Sequence, residues 1–266
     1  MRKIIFIILG IFIFSGCHTV NITTENIPNN NQNKTAADSV KIGGAWTKVE
    51  DGLEKLEYYF QENTRAKIII YKLTPDKFSF QFKHSEEALF LTDWDENLQH
   101  PLLLINGVYF LEDNAPAGML IVENKKIGNN QFDPNKSGVI ELAPTVKIID
   151  TKKDKFDPNF VKEAAQAYPF LIKNSKPNIK EDSGQIARRT FIGTDQEDNF
   201  YLGILPEESQ TLYELSLELS KVPVNWKNVI NLDGGSSSGL IANTQKNPEN
   251  LNSYVPIPNV LVVKRR

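Results

Sequence analysis

An aspartate followed by two glycines and three serines stands directly after an apolar run near the end of the chain. The segment 229–238 reads VINLDGGSSS, with the acid at Asp233. An aspartate at a strand end can be held at the rim of a cleft, because the glycines after it are free to adopt positive φ. Backbone N–H groups and serine hydroxyls would then converge on an anion. The same sequence is also compatible with a glycine-rich turn in which the aspartate only caps the next segment. The loop residues concerned are Gly234, Gly235, Ser236 and Ser237.

Two adjacent arginines open a second segment, ARRTFIGTD, at positions 187–195. A guanidinium offers two parallel N–H donors, a geometry that suits a phosphate group. Successive side chains of a strand point to opposite faces, so only one of Arg188 and Arg189 is expected to enter a site. The other would be a solvated charge at the strand edge. Thr190, which follows them, is a further candidate for substrate binding.

A third candidate is the pair Asn106-Gly107, which interrupts the apolar run 101–110. An asparagine there can supply both a donor and an acceptor to a ligand. Asn-Gly is also the strongest short hairpin signal. Taken alone, the pair therefore favours a hairpin or a bulge.

Other kinds of chemistry find little support in the sequence. There is no Gly-x-Ser-x-Gly segment for a serine nucleophile and no HExxH or EF-hand spacing for a metal. Only His18, His84 and His100 are present, and the net charge of −3 gives no basic footprint for nucleic acid. We therefore expect no cofactor and no nucleic-acid partner. A divalent cation bound by Asp233 is left open, because one acid is weak support for a metal site.

Strand-like runs dominate the rest of the chain, and only two segments are predicted as helices. The segment 157–168 has Asp157 as a cap and Pro158 at the first turn. The segment 211–221 begins with the capping box Thr211-x-x-Glu214. Many strands and few helices predict an α+β fold of mixed, mostly antiparallel sheets in a single domain. The predicted strands are 66–73, 78–83, 101–110, 117–123, 138–142, 145–150, 169–173, 189–194, 199–204, 228–232 and 259–265.

The N-terminus predicts export and a lipid anchor. Two basic residues precede the apolar run 4–14, which is too short to span a bilayer. The residues FSGC at 14–17 resemble the lipobox of bacterial lipoproteins, which implies cleavage after residue 16 and lipidation of Cys17. Residues 17–44 are rich in Asn and Thr and are predicted to form a flexible tether. A domain over 45–266 would thus be held at the bacterial cell membrane or outer membrane.

Taken together, the three polar segments resemble the phosphodiester glycosidase family. The resemblance extends from about Trp46 to Val263, and its most specific parts are RRTFIGTD and INLDGGSSS. INGVYF, PAGMLI, YPFLIKNSKP and VPIPNVLVV support it. Val108 stands where a small residue is common in the family. Ser236 replaces a frequent third glycine, which predicts an awkward backbone angle there.

The resemblance implies hydrolysis of a sugar joined through its anomeric carbon to a phosphodiester, of the N-acetylglucosamine type. Asp233 would act at that carbon as nucleophile, as base for water or as stabiliser of the transition state. Arg189 or Arg188 would neutralise the departing phosphate. Asn106 would orient the sugar or an anionic oxygen, with Gly107 and the glycine loop shaping the site. The alternative is a non-catalytic glycan-binding lipoprotein of the same fold.

Overall fold

Most strands of this protein are runs that are buried along nearly their whole length, and a few alternate buried and partly exposed side chains. The computed structural model describes residues 42–60, 66–128 and 132–266. Within 78–83, the three phenylalanines are buried and the polar residues between them are partly exposed, as the two-residue period of a strand requires. The predicted signal peptide, Cys17 and nearly all of the predicted tether lie outside the described residues.

Strands far outnumber helices in the described part of the chain. The helices are α1 (Leu91–Asn97) and α2 (Leu212–Leu219), and neither is long and apolar enough to cross a membrane. The strands are β1 (Trp46–Glu50), β2 (Leu53–Tyr59), β3 (Lys67–Leu73), β4 (Phe78–Leu89), β5 (Leu103–Asn106), β6 (Leu120–Val122), β7 (Lys125–Lys126), β8 (Gly138–Ala143), β9 (Lys147–Asp150), β10 (Glu163–Ala167), β11 (Phe170–Lys173), β12 (Lys176–Pro177), β13 (Ala187–Asp195), β14 (Phe200–Gln210), β15 (Trp226–Asn231), β16 (Leu240–Ala242), β17 (Glu249–Leu251) and β18 (Ile257–Arg265).

The strands form three sheets. An eight-stranded sheet has the order β1-β2-β3-β14-β13-β15-β11-β12, and two five-stranded sheets have the orders β7-β6-β10-β8-β9 and β17-β16-β5-β18-β4. Each strand pair described is antiparallel. The prediction of mostly antiparallel sheets with few helices agrees with this architecture. The parallel pairs that a mixed sheet would need are absent from the described strands.

All three sheets contribute side chains to one central core. Ile192 and Ile230 come from the eight-stranded sheet, Ile140 from the sheet of β10, and Phe82 and Leu261 from the sheet of β5. The helices cover outer faces: α2 packs on the eight-stranded sheet and α1 on the sheet of β5. The capping box predicted for α2 is confirmed, because the Thr211 hydroxyl accepts from the Glu214 N–H and the Glu214 carboxylate accepts from the Thr211 N–H.

The helix predicted over 157–168 is wrong. Asp157 caps only a short 3-10 turn, Pro158–Phe160, and the chain then enters β10. β10 pairs with β6 on one side and with β8 on the other, and every residue of it is buried. Burial between two partner strands therefore outweighs the helical preference of its three alanines.

The strand predicted over 101–110 is shorter than expected, because β5 ends at Asn106. α1 was not predicted at all. Beyond β5, the segment from Gly107 onward leaves the sheet, and the predicted hairpin does not form at Asn106-Gly107; an antiparallel bridge joins Phe110 and Pro116 further along. Asn106 is therefore the last residue of β5, which lies between β16 and β18 in its sheet.

Candidate active site

The three polar segments meet where β5, β13 and β15 end or begin. The Leu232 N–H donates to the Thr190 carbonyl at 2.9 Å, and the Asp233 N–H donates to the Gly107 carbonyl at 3.2 Å. The loop after β15 is thus fixed to β13 on one side and to the end of β5 on the other. Residues far apart in the sequence form one constellation around Asp233.

Asn106 is the centre of this junction, and both ends of its amide are bonded within the protein. Its Nδ2 donates to the Asp233 carbonyl at 2.8 Å. Its Oδ1 accepts from the Thr190 hydroxyl at 2.8 Å and from the Gly239 N–H at 3.1 Å. The side chain is 1% exposed. The geometry therefore gives Asn106, together with Thr190, the position of a brace behind the loop.

Gly107 and Val108 pack against Asn259, a residue that sequence reasoning did not select. A Cβ on Gly107 would lie 2.0 Å from the Asn259 Oδ1, so only glycine fits there. The Asn259 amide pairs with both backbone groups of Val108, accepting at 2.7 Å and donating at 3.1 Å. The Val108 side chain is buried in the central core. The core therefore accommodates the valine at this position, where a small residue is common in the family.

The loop itself turns at Gly235, which has φ +62°. Gly234 is extended, and Gly235–Ser237 forms a single 3-10 turn. Ser236 does not have a positive φ, so the awkward backbone angle predicted for it is wrong. The conformation that favours glycine falls one residue earlier, and Ser236 is left exposed on the surface of the loop.

Asp233 is partly buried at the base of this loop. Its Oδ1 accepts from the Gly234 N–H at 2.9 Å. Burial raises the pKa of the Asp233 carboxyl, while the Ser237 hydroxyl and the Gly234 N–H oppose that rise by bonding to the ionised form. A carboxyl with a raised pKa in a strand-end loop is a candidate catalytic group.

The two arginines diverge on either side of the loop. The Arg189 Nη1 would lie 4.0 Å from a Cβ on Gly234, and its Nη2 donates to the Gln185 carbonyl at 2.6 Å. The Arg188 guanidinium lies 3.9 Å from the centre of the Tyr254 ring. Arg188 also donates to the carbonyls of Pro206 and Asn252. Arg189 therefore lies along the glycines, whereas Arg188 is held by the backbone and by a tyrosine. Both arginines are buried, so the prediction that one of them is a solvated charge at the strand edge is wrong.

Two tyrosines complete the Asp233 side of the site. The Tyr109 hydroxyl accepts from the Asn231 Nδ2, and burial together with the Asp233 charge raises the pKa of Tyr109. The Tyr109 and Tyr168 rings are 4.9 Å apart, and Tyr168 is 39% exposed. Both tyrosines lie in motifs of the family resemblance, INGVYF and YPFLIKNSKP, but the sequence did not mark them as site residues. The signal available in the sequence was their position, shortly after the Asn-Gly pair for Tyr109 and directly after β10 for Tyr168.

Several buried polar atoms near this junction, like some elsewhere in the molecule, have no hydrogen-bond partner among the described residues. Buried polar groups are normally paired, so those on Arg189 and Asn231 are available to a polar ligand bound near Gly234. No group of three or more His, Cys, Asp or Glu side chains suited to a metal occurs in the described ranges. A cation bound by Asp233 stays a prediction. The unpaired atoms near the junction are Arg188 Nη1, Arg189 Nε, Asn231 Oδ1 and Ser238 Oγ.

The family model for phosphodiester glycosidases matches residues 101–264, more than half of the chain. The chain belongs to the phosphodiester glycosidase family. The matched span begins just before β5 and contains all of the predicted site residues from Asn106 to Ser237. It leaves out the first four strands, which the sequence resemblance had included. No curated protein matches the chain.

Solved structures agree with this phosphodiester glycosidase assignment at the level of the fold. A hypothetical protein from Synechocystis superposes with a TM-score of 0.60 at 13% sequence identity. The match covers 85% of this chain and 64% of the Synechocystis chain, which is less than two thirds of its length. The zebrafish N-acetylglucosamine-1-phosphodiester alpha-N-acetylglucosaminidase catalytic domain, auto-inhibited by its pro-peptide, gives a TM-score of 0.55 at 16% identity. That match covers 85% of this chain and 83% of the zebrafish domain.

Proposed function

We propose that this phosphodiester glycosidase hydrolyses a sugar-1-phosphodiester of the N-acetylglucosamine type at the anomeric bond. The observation that carries the proposal is the placement of Asp233 and Arg189 around Gly234, where β13 and β15 meet. The carboxylate would act on the sugar and the guanidinium on the phosphate. Family membership supports the substrate class.

The reaction breaks the bond between the anomeric carbon and the phosphate oxygen, and its electron pair stays on that oxygen. Water supplies a hydroxyl to the anomeric carbon, and its other proton goes to solvent. Asp233 acts at that carbon, as nucleophile or as base for water. A phosphate leaving group is a weak base, so its departure needs charge stabilisation by Arg189 more than protonation.

The remaining residues position these two groups. Asn106 and Thr190 hold the backbone of Asp233 in place through the bonds described above. The Tyr109 hydroxyl accepts from the Asn231 amide, which leaves its own proton available as a donor to an oxygen of the substrate. Arg188 stacks on Tyr254, whose N–H donates to the Ser236 carbonyl, and thereby supports the serine side of the loop.

An isotope experiment tests the site of cleavage. Hydrolysis of an N-acetylglucosamine-1-phosphodiester in ¹⁸O-labelled water should place the label in the sugar hydroxyl, as mass spectrometry of both products would show. Label in the phosphate would mean attack at phosphorus and would overturn the glycosidase mechanism. The configuration of the first-formed sugar, read by NMR, separates a nucleophilic Asp233 (retention) from a base (inversion).

Loss of the carboxylate provides the second test. Asp233→Asn should nearly abolish turnover, while Asp76→Asn, an exposed aspartate in the turn before β4, should not change it. Substrate binding without turnover in the unmodified protein would instead favour the alternative, a glycan-binding protein of this fold.

We further propose that Cys17 anchors the domain to the bacterial cell membrane or outer membrane, which would place the reaction at the cell surface or in the envelope.

A further inference from the structure

Tyr168 is an exposed aromatic residue that is braced on several sides. Its ring is 39% exposed, yet it lies 4.9 Å from the Tyr109 ring and 5.4 Å from the Lys136 ammonium. Exposed aromatic side chains on loops normally have no such support. The bracing leaves part of Tyr168 exposed to solvent next to Tyr109, whose pKa responds to the charge of Asp233.

The brace beneath the ring is itself firmly built. The Lys136 ammonium donates to the Ala117 carbonyl at 2.7 Å and to the Asp133 carboxylate at 2.6 Å. The buried Gln166, from β10, donates to the carbonyls of Asp133 and Lys136 at 2.9 Å each. Because Gln166 lies two residues before Tyr168, one strand fixes both the ring and the support of the ring.

The side of the ring nearest Tyr109 connects it to the reacting groups. Tyr109 is bonded to Asn231, and its pKa responds to the charge of Asp233. The Asn231 N–H in turn donates to the carbonyl of Pro169, which follows Tyr168. A rigid aromatic surface is therefore tied to the loop that carries the catalytic acid.

We propose that Tyr168 is the platform on which the pyranose ring of the substrate stacks, with Lys136 as its positioning residue. This proposal rests on the proposed function. A pyranose presents a face of C–H groups that suits an aromatic surface, whereas a phosphate needs N–H or O–H donors such as those of Arg189. The platform thus selects the sugar, and the arginine binds the diester.

The expected signature is a change in binding with little change in the chemical step. The stacked ring contacts the sugar in both the ground state and the transition state, so its loss should raise KM and leave kcat within about twofold. Covering about 55 Å² of apolar surface corresponds to about a tenfold change in affinity. Tyr168→Ala should show this tenfold rise in KM, and Tyr168→Phe should stay close to the unmodified protein.

Phe160 offers the matched control, because it is an aromatic residue that is 82% exposed and lies in the 3-10 turn Pro158–Phe160, outside the site residues. Phe160→Ala should leave the affinity for free N-acetylglucosamine, measured by calorimetry or saturation-transfer NMR, unchanged, while Tyr168→Ala lowers it about tenfold. Lys136→Met should give a smaller loss that Lys136→Arg restores.

The outcomes separate the two proposals. Turnover by the unmodified protein, with KM unchanged in Tyr168→Ala, would overturn the platform and leave the proposed function standing. A fall in kcat alone in Tyr168→Ala would show that the ring only supports the Asp233 loop. If the unmodified protein neither binds nor cleaves the sugar phosphodiester, the proposed function fails first.

Discussion

At the residue scale, the two neighbouring arginines differ more than their sequence suggests. Arg189 runs along Gly234, while Arg188 is bonded to two backbone carbonyls and stacks on Tyr254. The sequence prediction that one of them enters the site stays a prediction. The structure favours Arg189 for the phosphate, because the hydrogen bonds of Arg188 are largely used by the protein.

Substitution of Arg189 should therefore be selective for the leaving group. Arg189→Ala should cost about 2–4 kcal/mol of transition-state stabilisation on phosphodiesters, as the loss of one oxyanion donor does. An activated aryl glycoside, whose leaving group carries less charge, should lose much less. The measurement is kcat/KM for both substrates, after circular dichroism shows that the variant folds.

Arg188→Ala serves as the comparison. We expect a loss of similar size on both substrates, since Arg188 acts on the loop rather than on the phosphate. Equal losses on both substrates in Arg189→Ala would assign that residue a structural role. A loss of kcat/KM in Arg188→Ala that is confined to phosphodiesters would instead assign Arg188 to the phosphate and Arg189 to the loop.

The raised pKa of Asp233 has a consequence for stability. The pKa of an aspartate is near 3.8 in the unfolded chain, and the pKa of Asp233 is higher in the folded protein. Between these two pKa values, the folded protein binds a proton that the unfolded chain has lost. Stability therefore falls as the pH rises through the folded pKa. Asp233→Asn should melt at a higher temperature than the unmodified protein at pH 7, with a smaller difference at pH 4. An equal difference at both pH values would contradict this titration.

At the element scale, three strand ends and one buried amide position the site. β5 stops at Asn106, and the Asn106 side chain then bonds to the loop after β15, to β13 and to Gly239. The eight-stranded sheet and the sheet of β5 are joined at this point. The position of the catalytic loop thus depends on a hydrogen-bond network between two sheets.

Removal of that amide should weaken both the fold and the reaction. Asn106→Ala leaves the buried Thr190 hydroxyl and Gly239 N–H unpaired, at a cost of about 2–5 kcal/mol. Urea unfolding would measure this cost, and hydrogen exchange at Gly239 should accelerate. The fall in kcat should exceed that in the comparison variant Asn243→Ala, which loses two hydrogen bonds of a partly buried amide, to Asp95 and Pro101. Equal kcat values in the two variants would contradict a role of Asn106 in holding the loop.

At the scale of the whole molecule, the described residues belong to one compact unit built on a common core. The N-terminal segment 17–44 is predicted to be a tether, but its end is part of the domain, because Gly43 and Tyr59 exchange two backbone hydrogen bonds. A chain that begins just before Gly43 should therefore fold with an unchanged melting temperature. A large fall in that temperature would show that the segment packs on the domain.

The predicted anchor has a direct chemical test. In a bacterial host, the mature protein should begin at Cys17 and carry lipid on that residue, which is the only cysteine of the chain. Intact-mass analysis of the membrane fraction would detect the added acyl mass. Cys17→Ser should release the protein from membranes or leave its signal peptide uncleaved. Mature protein without lipid on Cys17 would contradict the prediction.

The sequence by itself determined what depends on local pattern and on motif. Apolar, strand-like runs located more than half of the strands, the capping box located α2, and RRTFIGTD with INLDGGSSS indicated the family that the family model then confirmed. These features are readable because each depends on residues close together in the chain. Asp233 was selected for the same reason, as an acid between a strand and two glycines.

Only the tertiary structure decided the features that depend on distant partners. The alanine-rich segment 163–167 is a strand because β6 and β8 flank it. Asn106 is a brace because Thr190, Gly239 and the Asp233 carbonyl surround it, and Tyr109, Tyr168 and Asn259 join the site through contacts across the sheets. Local propensity carries no information about such contacts, since their partners lie tens of residues away in the chain and meet only when the sheets pack.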